Sequence, residues 1–250
     1  MQGSILKGGS SLLKEKAYIH TRRCFRELEG FRGKQLALSD DDVWTEGLLI
    51  FYEIFRYLEQ ALDRHRNSPL ARLDLEALRR TEAFEKDLSF YLGSDWKSSY
   101  VVGDAVAAYL LHLRKVESAD PVMLSAYVYH LYMGLLSGGQ VLGHKRRLLA
   151  RLPFAGAARE GGDAVTSFGD APIPRLKCEM KAAMNALAGD LDEAARQMLL
   201  EESKTVFARN NEVIRSVKGG THVVLTKMLI LVIPVSVALM LFALLVFYKK

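Results

Sequence analysis

The amino-acid sequence predicts an all-α fold, consisting of one helical domain and a helix that spans a membrane. Apolar residues recur at helical spacing through most of the chain, and no alternating run bounded by hairpin turns indicates a strand. A run of twenty residues without charge lies near the C-terminus. With 50% hydrophobic and 25% charged residues, the composition is that of an ordinary globular protein.

These patterns divide the chain into four parts. Residues 1–11 are rich in glycine and serine and are predicted to be flexible. Residues 12–218 form the helical domain, within which 153–174 lack periodicity and are predicted to be a mobile loop. A linker over 219–227 leads to the membrane helix over 228–247. About 200 residues are enough for one domain with a substantial core.

The domain is predicted to contain seven helices, over 12–28, 39–65, 75–92, 101–116, 121–152, 176–187 and 190–218. Ser39 is the expected N-cap of the second helix, because the aspartates that follow it suit the positive end of the helix dipole. Gly93 is expected to end the third helix, and Pro121 suits the first turn of the fifth.

The apolar run 228–247 is long enough to cross about 30 Å of hydrocarbon. A buried core helix is the alternative, but an uncharged run of this length is rare in soluble domains. Only three residues follow the run, and the N-terminus lacks the apolar core of a signal peptide. We therefore expect a tail anchor in the endoplasmic reticulum membrane, with the domain facing the cytosol.

Charge and cysteine content exclude some classes of function. The net charge of +5 is modest and scattered, and no arginine-rich run is interleaved with aromatic residues, so no nucleic-acid partner is predicted. Cys24 and Cys178 form neither a CxxC pair nor a zinc-binding spacing. A reducing compartment is the simplest interpretation of two such cysteines.

The helix predicted over 121–152 contains an unusual number of glycines: Gly134, Gly138 and Gly139, with Gly143 close behind. Each interior glycine costs about 1 kcal/mol relative to alanine, so something must compensate. One explanation is tight packing against another helix. The other is a flat ligand that lies against exposed backbone.

The segment from Gly134 to Gln140, GLLSGGQ, resembles the distal-helix signature of haem oxygenases. It lies at the expected distance from an N-terminal histidine, and the similarity extends along most of the soluble chain. The resemblance implies that this helix covers the face of haem where oxygen binds. Gly134, Gly138 and Gly139 would then form the distal wall, with backbone close to the bound oxygen.

The N-terminal histidine is His20, followed by Thr21 as in the family pattern. The resemblance makes His20 the proximal ligand of the haem iron, a role that neutral imidazole often has. The family has an acidic residue four places later to orient the ring, and here that position is Cys24. The remaining histidines are interpreted as structural or solvent-facing: His65, His112, His130, His144 and His222.

The resemblance also assigns residues to the rest of a haem pocket. Lys177 and Lys181 would grip the propionates, with help from Lys14 or Lys16 on the first helix. A solvated basic face is the alternative for these lysines. The pocket lining would include Tyr129, Met184 and Phe207, each of which is otherwise an ordinary core residue.

Three polar positions of the family pattern are apolar in this sequence. Leu135 replaces the aspartate that holds a distal water network for proton delivery. Phe55 replaces a tyrosine that supports the network, and Leu131 replaces a basic residue. A drier pocket with an altered rate or regiospecificity is one consequence, and loss of catalysis is another.

The resemblance implies an oxidoreductase that cleaves haem b, both substrate and cofactor, to biliverdin, ferrous iron and carbon monoxide. Electrons would come from NADPH through cytochrome P450 reductase docked on the basic face, and biliverdin reductase is a further implied partner. Two alternatives remain open: a membrane-anchored protein that binds or senses haem without turnover, and a tail-anchored adaptor that binds no haem.

Overall fold

The computed structural model describes residues 40–151 and 161–217, and the described chain contains helices and turns but no strand. Helix numbers start at the first described helix. The α-helices are α1 (Asp41–Arg64), α2 (Thr81–Leu92), α3 (Trp96–Ser99), α4 (Asp104–Ala119), α5 (Leu124–Gly134), α6 (Gln140–Ala150), α7 (Ile173–Asp190) and α8 (Glu193–Ser216).

Several predicted segments lie outside the described residues. They are the N-terminal segment 1–11, the first helix over 12–28, the linker over 219–227 and the membrane helix over 228–247. Within 40–151 and 161–217, no helix is both long enough and apolar enough to cross a membrane.

The first described helix, α1, begins one residue later than predicted. Asp40, rather than Ser39, is the N-cap, and its carboxylate accepts hydrogen bonds from the backbone N–H groups of Asp42 (3.1 Å) and Val43 (3.4 Å). The predicted apolar stripe of this helix is confirmed, since its residues are buried or pack against the core: Trp44, Leu48, Phe51, Phe55 and Leu58.

The helix predicted over 75–92 was too long at its N-terminal end. Two short 3₁₀ turns, Pro69–Leu73 and Glu76–Leu78, precede α2, which starts at Thr81. The buried carboxylate of Glu59 accepts hydrogen bonds from the backbone N–H groups of Arg80 (2.5 Å) and Thr81 (3.3 Å). A carboxylate from α1 therefore satisfies the first turn of α2. Gly93 ends α2 at φ 90°, as predicted.

The single helix predicted over 121–152 is divided into four pieces. A 3₁₀ turn, Pro121–Met123, leads into α5, and a π-helical turn, Leu135–Gly139, separates α5 from α6. The π turn coincides with the glycine cluster, where backbone freedom is greatest. Such turns occur frequently at functional sites.

The core is centred on α5, whose segment Leu124–Val128 is buried. Helix α5 packs against α7 and α8, and α1 packs against α2 and α4. Phe55 of α1 contacts both Phe84 and Tyr132, with ring centroids 5.2 and 5.1 Å away. The end of α5 that precedes the π turn is thus held by a well-packed interior.

A polar cluster joins the C-terminal ends of α1 and α4. Glu117 accepts hydrogen bonds from Arg64 through both of its oxygens at 2.9 Å, from Tyr57, and from His65 at 2.8 Å. Burial opposes ionisation of this carboxyl, but these hydrogen bonds outweigh it and hold the pKa of Glu117 at about 2. Glu117 therefore stabilises the fold in its ionised form.

The segment predicted as a loop over 153–174 is described from residue 161 onwards. Residues 161–172 are irregular apart from one 3₁₀ turn, Ala164–Thr166, and the last two residues of the predicted loop belong to α7. The buried carboxylate of Asp87 accepts hydrogen bonds from the backbone N–H groups of Ala164 (2.8 Å) and Val165 (2.9 Å). The guanidinium of Arg80 lies 4.1 Å from the centre of the Phe168 ring. These contacts attach the segment to α2.

The last two helices differ from the prediction at their N-terminal ends. Helix α7 begins at Ile173, three residues before the predicted start at 176. Helix α8 begins at Glu193 rather than near residue 190, because the Asp192 side chain caps it by accepting from the backbone N–H of Ala195 at 2.8 Å.

Candidate functional site

The glycines around the π turn have different surroundings. A Cβ atom built on Gly134 or Gly138 would meet no described atom within 4 Å. Gly134 also has ordinary helical angles, φ −62° and ψ −46°, so no backbone strain requires a glycine there. Within the described chain, tight helix packing does not account for these two glycines, which leave a stretch of helix backbone uncovered.

Gly143, by contrast, is a packing glycine. A Cβ on it would lie 2.5 Å from Oγ1 and 2.9 Å from Cβ of Thr166. Thr166 is buried, and its hydroxyl donates a hydrogen bond to the carbonyl of Asp163 at 3.1 Å. Helix α6 therefore approaches the 161–172 segment at Gly143, and both explanations offered for the glycine cluster apply, each to different members.

Gly139 provides room for Leu135. A Cβ on Gly139 would lie 2.8 Å from Cδ1 of Leu135, so the leucine side chain extends along the next turn of its own helix. Leu135 is half-buried and packs against the core. Leu131 and Phe55, at the other two changed positions of the family pattern, are buried apolar side chains. The three positions lack any carboxylate or hydroxyl.

The buried acid Glu59 is hydrogen-bonded to α5 and stabilises the fold. Tyr132 of α5 is fully buried, and its hydroxyl donates a hydrogen bond to Oε1 of Glu59 at 2.8 Å. Burial and this carboxylate raise the pKa of Tyr132 well above its ordinary value. Sequence reasoning missed this pair, because 73 positions separate the two residues and neither belongs to a motif. The pair fixes α5 to α1 just before the π turn.

The predicted propionate ligands lie on α7. One face of this helix is buried through Leu176, Met180 and Leu187. Lys177 is half-buried and Lys181, four residues on, is exposed on the adjacent stripe. Neither ammonium group forms an ion pair with a carboxylate in residues 40–151 or 161–217. These two charges are thus available to an anionic ligand.

The predicted lining residues come from three helices. Met184 of α7 and Tyr129 of α5 are partly buried and pack against the core. Burial raises the pKa of Tyr129, so its hydroxyl stays protonated. Phe207 of α8 packs edge-on against the ring of His130, with centroids 4.8 Å apart. Sequence reasoning did not assign His130 to the site.

Two other histidines hold the fold together, as the sequence analysis supposed. His65 belongs to the Glu117 cluster. Nε2 of His112 lies 2.7 Å from the hydroxyl of Tyr127 and 2.9 Å from Oε1 of Glu202, which joins α4, α5 and α8. His20, Lys14 and Lys16 lie outside the described residues, so their assignments stay predictions.

A separate cavity of about 230 Å³ lies on the Gly143 side of α6. This is smaller than the roughly 300–1,000 Å³ of typical small-molecule sites. Its most buried cation, Arg146, already pairs with Asp41 at 2.6 Å. The cavity lining is Trp44, Gly143, Arg146, Arg147, Ala150, Arg151, Gly161, Asp163 and Thr166. The cavity is therefore not the candidate site.

Comparison with known proteins identifies the family of this chain. A family model described as "Heme oxygenase" matches residues 25–216. The chain belongs to the haem oxygenase family. Heme oxygenase 1 of Homo sapiens is 32% identical over 204 residues, which cover 80% of this chain and 68% of the human protein. Heme oxygenase 1 of Gallus gallus is 31% identical over 194 residues, which cover 76% of this chain but only 62% of the chicken protein.

Solved structures support the same fold. The crystal structure of heme oxygenase-1 from the cyanobacterium Synechocystis in complex with heme matches with a TM-score of 0.73 and 24% identity, over 90% of this chain and 97% of that chain. Heme oxygenase 2 from Chlamydomonas reinhardtii, solved without heme, matches with a TM-score of 0.66 over 85% of this chain. The all-helical prediction is confirmed by these haem oxygenase folds.

Proposed function

We propose that this protein is a haem-degrading enzyme that cleaves haem to biliverdin, ferrous iron and carbon monoxide. The single observation that carries the proposal is the backbone at Gly134 and Gly138, which no other part of the described chain covers. Gly134 precedes the π turn and Gly138 lies within it, in a chain of the haem oxygenase family. A flat, largely apolar substrate can lie against such a surface. The substrate itself supplies the iron that activates dioxygen.

Residues of this chain would bind and orient that substrate. Lys177 and Lys181 are suitably charged for two propionates, and as point charges they bind without the fixed geometry of arginine. Tyr129 and Phe207 offer aromatic surface at the side of the pocket. His20 is proposed as the iron ligand, and Lys14 or Lys16 as further propionate contacts.

The apolar distal residues lead to an expectation about rate and regiospecificity. Leu135 lies along its own helix over Gly139 and has no polar atom to hold water, whereas an aspartate at this position would. We therefore expect slower proton delivery, or a mixture of pigment isomers. A haem-binding protein without turnover is the second candidate function, and the apolar trio of Phe55, Leu131 and Leu135 is the observation that favours it.

The membrane and the electron donor belong to the proposal as well. The uncharged run 228–247 supports a tail anchor, with the domain on the cytosolic side of the endoplasmic reticulum membrane. NADPH–cytochrome P450 reductase, docked through the basic surface, is the proposed electron source. Biliverdin reductase is a proposed recipient of the product.

The test is to incubate the purified protein with haem, NADPH and the reductase. We expect the Soret band to decay while a bile pigment accumulates, with about one pigment molecule formed for each haem lost. A stable Soret band and no pigment, under conditions where human heme oxygenase 1 turns over, would favour the non-catalytic alternative. Failure to bind haem at all would refute both functions.

A further inference from the structure

The surface of α5 that leads to the open glycines has a definite composition. His130, Met133, Gly134, Ser137 and Gly138 follow one another at spacings of three or four and therefore lie on one face. We call these five residues the open stripe. None of them is fully buried, whereas the opposite face of α5 forms the core. A substrate lying on the two glycines would also contact the other members.

Two members of the open stripe can donate a hydrogen bond from a side chain, His130 and Ser137. A serine hydroxyl within a helix tends to bond back to a carbonyl of the preceding turn, which reduces its availability. The imidazole of His130 is larger and reaches across to α8, where it packs on Phe207 at a centroid distance of 4.8 Å. It also meets the ring of Tyr129 at 5.3 Å. Two aromatic neighbours thus fix the ring position of His130.

A hydrogen-bond donor on the open stripe would have few competitors, because the neighbouring side chains are apolar or already hydrogen-bonded. Leu131 and Leu135, which lie between members of the open stripe in the sequence, have apolar side chains, and Phe55 lies in the core. Gln140, the next polar side chain along the helix, donates its amide to the carbonyl of Thr166 at 2.8 Å. In an apolar environment, a single donor has a large effect, because little water competes with it.

From these observations we propose that His130 is the hydrogen-bond donor of the distal pocket, in place of the missing aspartate. The inference rests on the proposed function, because it requires haem to bind against Gly134 and Gly138. His130 would donate through a ring N–H to the small ligand that occupies the distal face. Its role is to retain and polarise that ligand, in a pocket where Leu135 cannot.

Fluoride binding to the ferric haem complex of the full-length protein tests this role independently of turnover. Bound fluoride is a strong acceptor, so its affinity reports on a distal donor and can be read from the visible spectrum. The variants are His130→Leu, which removes the donor, and His130→Gln, which keeps an N–H donor. Ser137→Ala tests the other donor of the stripe, and His144→Leu, at an exposed position of α6, is the matched control.

We expect His130→Leu to weaken fluoride binding by about tenfold, the effect of losing one hydrogen bond to a charged acceptor. His130→Gln should stay within about threefold of the wild type, Ser137→Ala should weaken fluoride binding less than His130→Leu does, and His144→Leu should leave it unchanged. Circular dichroism and haem stoichiometry verify that each variant folds and binds haem.

Three results would overturn the proposal. Unchanged fluoride affinity in His130→Leu would show that the ring does not reach the ligand. An equal loss in the Leu and Gln variants would assign His130 a packing role only. Tighter fluoride binding in His130→Leu, together with a change from a low-spin to a high-spin spectrum, would make His130 an iron ligand instead. Failure of the wild type to bind haem would refute the proposed function and is recognised before any variant is compared.

Discussion

Alanine substitutions at two glycines of the same helical region should change stability in opposite directions. At Gly134 the new methyl group would meet no described atom within 4 Å, and the backbone angles already suit alanine. At Gly143 the methyl group would lie 2.5 Å from Oγ1 of the buried Thr166. The two substitutions share the same chemistry, so any difference between them reports on what each glycine faces.

The expected magnitudes follow from this geometry. Gly134→Ala should raise the free energy of unfolding of the haem-free protein by about 0.5–1 kcal/mol, the usual gain from replacing a helical glycine. Gly143→Ala has the same propensity gain, but overpacking against Thr166 costs about 1–3 kcal/mol. A net loss of about 1–2 kcal/mol is expected, a decrease in Tm of roughly 2–8 °C for a domain of this size.

Urea unfolding followed by circular dichroism measures both variants against the wild type. Thr166→Ala is a useful second background, because it removes Oγ1 and should reduce the cost of Gly143→Ala. With haem bound, we expect Gly134→Ala to lower pigment formation at least tenfold despite its greater stability. The reasoning would be refuted if Gly134→Ala destabilised the haem-free protein as much as Gly143→Ala does.

Three further predictions concern the pocket and the fold. Leu135→Asp should change the ratio of biliverdin isomers or the turnover rate, both measured by chromatography of the products. If neither changes, the missing aspartate does not distinguish this enzyme. Lys177→Met and Lys181→Met should each weaken haem binding several-fold at low salt and less at high salt. Lys115→Met, at an exposed position of α4, should leave haem binding unchanged, and equal affinities for all three variants would exclude propionate contacts. The ionised Glu117 should stabilise the fold above about pH 4.5, and this contribution should disappear as the pH falls towards 2, where its folded-state pKa lies. In Glu117→Gln, the free energy of unfolding measured with urea should depend less on pH between about 2 and 4.5 than in the wild type. An unchanged pH dependence would contradict the assignment.

The helices of the domain could be predicted because they depend on local pattern. The stripe of α1 and the glycine that ends α2 are visible in the sequence, and both are confirmed. The errors at helix starts have long-range causes. Glu59 of α1 satisfies the first N–H groups of α2, so the boundary at Thr81 depends on a residue about twenty positions earlier.

The glycine cluster shows what pattern alone leaves undecided. The sequence allows both packing and ligand binding, and only the surroundings of each glycine in the fold distinguish the two explanations. Gly143 faces Thr166, which lies in a segment without periodicity, so no sequence signal linked them. The π turn is equally invisible in a helical pattern, although it falls on the residues that the resemblance had selected.

His130 could have been found from sequence. It precedes Gly134 by four positions, which places it on the same helix face, but a histidine in a helix is usually structural. Its contact with Phe207 of α8 is the additional information, because only the fold brings these two residues together.

The most direct test of the account is a structure of the protein with haem bound. We expect the porphyrin to lie in van der Waals contact, about 3.5–4 Å, with the backbone of Gly134 and Gly138, and His20 to bind the iron. Haem bound elsewhere, or a protein segment packed against Gly134 and Gly138 in its place, would contradict the central claim.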